Sequence, residues 1–149
     1  MKLLLRAPNW LGDCIMALPA FAAVRRWFPD AHIGIVARRP LTQLYEMMPD
    51  WNVIWPMTRG NGLAGLVRRL SAAAALREQR FDAAILFPNS FGSALESYAA
   101  RIPVRIGYAR SGRRVLLTHP VPANDGILDV HQIMYYLRLA DRLGETFGI

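Results

Sequence analysis

Short runs of consecutive apolar residues recur along the chain and alternate with longer stretches of helical composition. The apolar runs lie at residues 2–6, 31–37, 52–55, 81–87 and 104–107. The helical stretches lie at residues 14–28, 41–48, 63–79, 91–101 and 129–143. Continuous apolar runs are typical of strands buried on both faces of a parallel sheet. The alternation therefore predicts an α/β fold with a doubly wound parallel sheet and right-handed crossovers.

Some parts of the pattern are less regular. Pro19 lies inside the first helical stretch, so either a new helix begins there or one helix kinks. Residues 108–114 read as a basic loop, residues 115–118 as a further strand, and residues 120–126 as irregular. Asp129 is the expected N-cap of the last helix, because Asp is a favoured capping residue.

The length of 149 residues is that of one ordinary domain, and we expect residues 1–149 to form a single unit. No apolar run approaches the roughly 20 residues that span a bilayer, and the apolar run before Arg6 is too short for a signal peptide. These features predict a cytoplasmic protein. Cys14 is the single cysteine, so it cannot form an internal disulfide, and its apolar neighbours predict a buried helix position.

The formal net charge is +7, and all basic residues except Lys2 are arginine. Arginine binds phosphates and carboxylates through its planar guanidinium group. The charge therefore predicts an anionic partner, which could be a nucleic acid, a phosphorylated sugar or an anionic membrane surface. Genomic base composition is an alternative explanation for the lack of lysine, but it does not explain the positive sum.

The loop between the first strand and the first helix carries the main candidate chemistry. Asp13 is expected at or just inside the helix N-terminus, where the helix dipole favours an ionised carboxylate. Such a group is a candidate general base, and a simple N-cap is the alternative. Trp10 is either a lid on the core or a stacking platform for a sugar ring. The loop lacks the glycine motifs of dinucleotide and P-loop sites, and the sequence shows no serine nucleophile elbow and no metal-ligand spacing.

Two later loops offer further polar groups. Asn89, Ser90 and Ser93 follow the fourth strand and could bind sugar hydroxyls or a phosphate, although helix capping is the simpler interpretation. Five arginines, including Arg110 and Arg113, lie between residues 101 and 114. As a cluster they favour anion binding, whereas each one alone is typical of a solvated face.

Taken together, these stretches resemble the glycosyltransferase family 9 heptosyltransferases of lipopolysaccharide synthesis. The most specific pieces are Arg-Ala-Pro-Asn-Trp-Leu-Gly-Asp at residues 6–13 and Leu-Phe-Pro-Asn-Ser-Phe at residues 86–91. The remaining pieces are residues 18–20, 28–31, 93–94, 105–108, 112–113, 116–118, His131 and residues 136–137.

The resemblance implies a GT-B architecture, in which two Rossmann-like domains face each other across a cleft. It implies inverting transfer of L-glycero-D-manno-heptose from ADP-heptose to a heptose of the lipid A–Kdo acceptor. Asp13 matches the family's presumed general base. The candidate acceptor-binding residues are Asn9, Trp10, Gly12, Asn89, Ser90, Ser93, Arg110 and Arg113.

The resemblance covers only the N-terminal, acceptor-side half of such an enzyme. We therefore expect ADP-heptose to bind through a second domain, and the isolated chain to be inactive in transfer. We expect no resident cofactor, and a divalent metal requirement stays open. The expected partners are the lipopolysaccharide inner core and the inner-membrane surface, with no nucleic acid. The alternative is a non-catalytic basic α/β module that binds nucleic acid or a partner chain.

Overall fold

A six-stranded sheet organises the computed structural model, which describes residues 1–57 and 60–149. The strands are β1 (Lys2–Arg6), β2 (His32–Arg38), β3 (Val53–Met57), β4 (Ala83–Leu86), β5 (Val104–Tyr108) and β6 (His119–Val121). Their order is β3-β2-β1-β4-β5-β6, and every neighbouring pair is parallel. The predicted α/β fold with a doubly wound, Rossmann-like parallel sheet is confirmed.

Helices cover both faces of this sheet. They are α1 (Leu11–Trp27), α2 (Thr42–Glu46), α3 (Gly62–Glu78), α4 (Phe91–Ala99), α5 (Asp125–Leu128) and α6 (Gln132–Phe147), with two 3₁₀ turns at Arg39–Leu41 and Arg113–Leu116. In β1, Leu3 and Leu5 join the core formed with α1 and α6, whereas Leu4 joins the core on the α3 and α4 face. Burial on both faces explains why the strands read as unbroken apolar runs. Within the described ranges, no helix combines the length and apolar character needed to cross a bilayer.

Helix α1 continues through Pro19, so a separate helix does not begin there. The proline ring lies on the exposed side of the helix, and the buried side is formed by residues such as Ala17, Ala20 and Phe21. Proline has no N–H, so it removes one helical hydrogen bond without disturbing the packed face.

The expected strand at residues 115–118 is wrong. The chain forms a 3₁₀ turn at Arg113–Leu116, which starts after Gly112 at a φ of 69°. Leu116 and Leu117 pack into the core beneath α4, so their apolar character serves packing rather than strand pairing. The strand that pairs with β5 is β6, and it lies partly in the stretch expected to be irregular, as does α5.

The last helix begins later than expected. Asp129 lies in a bend, and the N-cap of α6 is His131, whose Nδ1 accepts a hydrogen bond from the Ile133 N–H at 3.2 Å. The helix ends at Gly148, whose φ of 76° suits a residue without a Cβ. A capping histidine carries a weaker sequence signal than Asp, and this explains the wrong prediction.

Gly34 in β2 provides a test of the packing between strands and crossovers. A Cβ there would lie well inside contact distance of the Trp55 ring and 3.1 Å from the Phe81 ring. These two rings already pack edge to face, with centroids 5.6 Å apart. We expect Gly34→Val to lower the free energy of unfolding by about 1–3 kcal/mol through overpacking. Urea denaturation measures this, and an unchanged midpoint would contradict the close packing of Gly34 against the Trp55 and Phe81 rings.

Candidate functional site

The strand order reverses between β1 and β4, and most of the candidate residues follow the ends of these two strands. Strand β1 pairs with β2 on one side and with β4 on the other. The Phe87 N–H donates to the Arg6 carbonyl at 3.2 Å, so the loops that follow β1 and β4 start side by side. In open α/β sheets such a switch point opens a crevice at the carboxyl ends of the strands. Asn9 and Ser90, predicted separately from the sequence, line the same cleft of about 260 Å³.

The cleft is strongly basic, and sequence reasoning missed most of its charged residues. Arg6, Arg68, Arg69 and Glu96 all line it. The Glu96 carboxylate lies 3.6 Å from Nε of Arg6 and 2.7 Å from Nη1 of Arg69. The available signal was a charged residue within an otherwise apolar stretch, which applies to Arg6 at the end of β1 and to Glu96 in α4.

Arg6 is almost fully buried, and this sets its electrostatics. Burial lowers the pKa of its guanidinium, an effect that the neighbouring Glu96 carboxylate opposes. Its Nη1 donates to the carbonyls of Ala7 at 3.2 Å and Val36 at 3.4 Å. Arg6 therefore ties the end of β1 to β2 and to α4 while it forms the floor of the cleft.

Asn9 carries an unsatisfied polar atom in this cleft. Its backbone carbonyl accepts a hydrogen bond from Nη1 of Arg38 at 3.1 Å. Its side-chain Oδ1 is buried and has no hydrogen-bond partner among the described residues. A buried acceptor without a partner costs free energy, so it is suited to a donor from a bound molecule.

The loop that holds Asn9 is also held from the core side. The Cys14 thiol donates to the Pro8 carbonyl at 3.2 Å. Cys14 is buried, as predicted, and burial raises the pKa of its thiol. The thiol form is therefore retained, and it acts as a packing and hydrogen-bonding group.

Asp13 lies just inside α1, in the first turn, and it does not cap the helix. The N-cap position belongs to Trp10, which makes no side-chain capping bond. The half-buried Asp13 faces Tyr136 of α6. Burial, above all, raises the pKa of the Tyr136 phenol, and the charge and hydrogen bonding of Asp13 raise it further. The phenol keeps its proton at neutral pH and can donate to the carboxylate, so the pair presents an oriented base at a helix N-terminus.

Trp10 and Gly12 present an open surface beside Asp13. The Trp10 side chain is 65% exposed, which excludes the interpretation as a lid on the core. The Arg38 guanidinium lies 5.7 Å from the Trp10 ring centroid and steadies it from one side. A Cβ on Gly12 would meet no atom within 4 Å, so the fold itself does not require glycine there.

The polar residues after β4 are mostly engaged within the protein. The Tyr135 hydroxyl lies 2.9 Å from Nδ2 and 3.1 Å from Oδ1 of the Asn89 side-chain amide. The Ser90 side chain caps α4 by accepting from the Ser93 N–H at 3.3 Å, as the capping interpretation predicted. Ser93 is buried, and its hydroxyl donates to the Ser90 carbonyl at 2.9 Å. Of the three predicted binding residues, Ser90 is the one that is both exposed and part of the cleft.

The expected basic cluster at residues 101–114 does not form one surface. Arg113 is completely buried, with Nε donating to the Tyr108 carbonyl at 2.9 Å and Nη1 bonded to the Pro88 and Ser90 carbonyls. Burial lowers its pKa to about 10. It therefore positions the β4–α4 loop from inside the protein, in contrast to the exposed phosphate contact expected from the sequence. Arg110 is exposed, and Arg105 bonds to the backbone carbonyls of Ile102 and Leu116.

Residues 1–57 and 60–149 contain no group of three or more His, Cys, Asp or Glu side chains that could hold a metal ion. The charged groups of the cleft are mainly cationic, which suits an anion better than a cation.

The family model for glycosyltransferase family 9 (heptosyltransferase) matches residues 69–147, more than half of the chain. The chain belongs to glycosyltransferase family 9. Lipopolysaccharide heptosyltransferase 2 of Escherichia coli is 36% identical over 117 residues, which are 78% of this chain and 34% of that protein. Lipooligosaccharide heptosyltransferase 2 of Haemophilus ducreyi is 33% identical over 78% of this chain and 33% of its own length.

Solved structures of family 9 proteins share the fold. The structure of E. coli ADP-heptose lps heptosyltransferase II matches with a TM-score of 0.81 and 31% identity, over 94% of this chain and 40% of that one. A family 9 structure from Veillonella parvula matches with a TM-score of 0.82 over 96% of this chain and 41% of that one. At 18% identity, this second match supports the fold alone. The chain spans about a third of the length of the curated relatives it matches.

Glu96 holds two arginines, so its removal tests the charge arrangement of the cleft. We expect Glu96→Gln to lower the free energy of unfolding by roughly 3–5 kcal/mol, because it leaves the buried Arg6 cation without its counter-ion. Thermal and urea unfolding measure this loss.

The matched control is Glu145→Gln, which removes a carboxylate that also pairs with two arginines, Arg138 and Arg142, but on the surface. Exposed pairs of this kind contribute at most about 1 kcal/mol. If the two substitutions lower the free energy of unfolding equally, the stabilising role assigned to the buried Glu96 is contradicted.

Proposed function

We propose that the protein to which this chain belongs is a lipopolysaccharide inner-core heptosyltransferase. It transfers L-glycero-D-manno-heptose from ADP-heptose to a heptose of the lipid A–Kdo acceptor, with inversion at the anomeric carbon. Support comes from family 9 membership and from the relatives named lipopolysaccharide and lipooligosaccharide heptosyltransferase 2.

The observation that carries this proposal is the position of Asp13. Its carboxylate lies in the first turn of α1 at the switch-point edge, against the neutral phenol of Tyr136. In the proposed reaction, Asp13 accepts the proton of the acceptor hydroxyl as that oxygen bonds to the anomeric carbon. The bond between this carbon and the ADP oxygen breaks at the same time, and ADP leaves with the bonding electron pair. Attack from the face opposite to the leaving group produces the inversion.

The basic cleft supports binding of an anionic acceptor. Arg68, Arg69 and Asn9 line it, and Oδ1 of Asn9 is buried without a hydrogen-bond partner among the described residues. Guanidinium groups bind phosphate and carboxylate groups, and Oδ1 can accept a hydrogen bond from a sugar hydroxyl. We assign acceptor contacts to Asn9 and Ser90 on this basis, and to Trp10 and Gly12 because they are exposed at the start of α1 beside Asp13. Arg113 positions the Ser90 loop from beneath.

In this proposal, residues 1–149 form the N-terminal, acceptor-side domain of a GT-B enzyme, and ADP-heptose binds through a second domain. The protein works at the cytoplasmic face of the inner membrane, where its lipid-linked acceptor is presented. Nucleic acid has no part in this function.

Asp13→Asn in a full-length enzyme that carries this chain should lower kcat by about 10²–10⁴-fold. The amide keeps the shape of the side chain and can still accept a bond from Tyr136, but it cannot take the proton. Radiolabelled heptose transfer measures kcat, and calorimetry measures acceptor affinity, which should change little. Asp30→Asn, which alters an exposed acid before β2 at the opposite edge of the sheet, is the control. Normal turnover by the Asp13→Asn enzyme would remove Asp13 from the mechanism.

Gly12→Ala separates folding from substrate approach. Since a Cβ at this position meets open space, we expect unfolding free energy to stay equal or to rise by up to about 1 kcal/mol. In the full-length enzyme kcat/KM should fall by about tenfold or more, corresponding to about 1.4 kcal/mol, if substrate passes close to the helix N-terminus. Steady-state kinetics and urea unfolding of the same variant provide both readouts. Unchanged kinetics would exclude Gly12 from the binding surface.

A further inference from the structure

Helix α3 carries a second apolar face that points to solvent. Leu63, Leu66, Val67 and Leu70 are all exposed, with Leu63 at 77% and Val67 at 58%. Their spacing of three and four residues places them on one side of the helix, and we call these four residues the outer stripe. A helix on the surface of a globular protein ordinarily places polar residues on this side.

The outer stripe is distinct from the face that packs on the sheet. Gly65, Ala73 and Leu76 are the buried residues of α3. A Cβ on Gly65 would collide with the backbone of Gly60, so this side of the helix is pressed closely against the protein. The outer stripe therefore adds nothing to the core, and its exposure to water needs a separate explanation.

The charges on and beside α3 are mainly positive. The helix contains three arginines, and its single acid is Glu78 at the last position. Arg77 is exposed one heptad after Leu70, so it extends the line of the outer stripe. Arg80 is also exposed just beyond the helix. A row of aliphatic side chains next to arginines is the composition of helices that lie in the interface of an anionic membrane.

We propose that the outer stripe of α3 docks on the surface of an anionic phospholipid bilayer, with Arg77 and Arg80 at the level of the lipid headgroups. The stripe covers about two helical turns and is roughly 10 Å long. A standard protein interface buries about 800 Å² on each partner, far more than so narrow a strip presents. Four aliphatic side chains do suit shallow insertion beneath headgroups, and the arginines supply charge complementarity.

Docking in this way gives the cleft a defined relation to the membrane. The side of α3 that lies across from the outer stripe lines the cleft through Gly65, Arg69 and Ala72. The bilayer would then lie next to the cleft, where the sugar chain of a lipid-linked acceptor emerges. This consequence rests on the proposed function, whereas bilayer docking itself does not.

Vesicle sedimentation tests the proposal, with the 149-residue chain and liposomes of phosphatidylethanolamine and phosphatidylglycerol at physiological salt. We expect binding to these vesicles and much weaker binding to pure phosphatidylcholine. The triple variant Leu63→Gln, Val67→Gln, Leu70→Gln should bind at least about tenfold more weakly. Arg77→Gln and Arg80→Gln should each weaken binding by about fivefold, the equivalent of about 1 kcal/mol per charge.

The matched control is Met47→Gln, Val115→Gln, Met134→Gln, which removes three apolar side chains that are at least as exposed and lie on other surfaces. It should bind like the unaltered chain. All altered positions are exposed, and circular dichroism with thermal unfolding verifies that each variant is folded. The proposal is overturned if the unaltered chain ignores anionic vesicles, or if the two triple variants bind equally. It is also overturned if sedimentation equilibrium shows a dimer that the stripe variant alone dissolves, because the stripe is then a contact between copies.

These vesicles contain no acceptor sugar, so a negative result leaves heptose transfer untouched. Conversely, a full-length enzyme carrying the stripe variant should transfer heptose normally to a lipid-free acceptor oligosaccharide. If the unaltered full-length enzyme does not transfer heptose to that acceptor, the proposed function is contradicted, and the proposal of membrane docking is unaffected.

Discussion

The cleft at the carboxyl ends of the strands depends on one buried carboxylate that pairs with two arginine side chains. Glu96 of α4 contacts Arg6 at the end of the central strand and Arg69 of α3. A guanidinium placed at 4% exposure needs a counter-ion, because the free energy of removing an unpaired charge from water is large. The three charged side chains therefore connect the central strand β1 with helices α3 and α4 on one face of the sheet. The Glu96 carboxylate also reduces the repulsion between the Arg6 and Arg69 cations, so both can lie at the same cleft.

A second set of contacts brings the opposite layer to the same edge. Tyr135 and Tyr136 of α6 are buried neighbours. Tyr135 contacts Asn89 in the loop after β4, and Tyr136 contacts Asp13 in the first turn of α1. The final helix, far along the chain, thus orients residues that follow the first and fourth strands. For the proposed transfer reaction this arrangement is useful, since a base is effective only when its carboxylate is held in one direction.

Helix α3 takes part in both the proposed acceptor binding and the proposed membrane docking, because two of its sides carry different residues. Its inner side lines the basic cleft, and its outer side presents aliphatic residues and arginine to solvent. Glycine at positions 60 and 65 allows the helix to approach the preceding loop closely, which leaves the large side chains to the outside. Under the proposed function, the cleft and the membrane surface have to lie close together, because the acceptor sugar is linked to a lipid. Arginines of this helix lie both at the cleft, as Arg68 and Arg69, and beside the outer stripe, as Arg77.

The sequence by itself determined the layered fold, because strands buried on both faces must be apolar throughout, and it located Asp13, Asn9 and Ser90 at strand ends where a parallel sheet opens. It also supported the family resemblance through residues 6–13 and 86–91, both local stretches. Only the tertiary structure decided which polar side chains point outward. Arg113 reads as a surface arginine but is buried, because its partners include backbone carbonyls of a loop that lies 23 and 25 residues earlier in the chain. Leu116 and Leu117 read as a strand but pack under α4, and the Arg6–Glu96–Arg69 cluster joins residues up to 90 positions apart. The local sequence pattern indicates which residues favour burial. Which partner each residue contacts depends on long-range packing, because the partners lie far apart in the sequence.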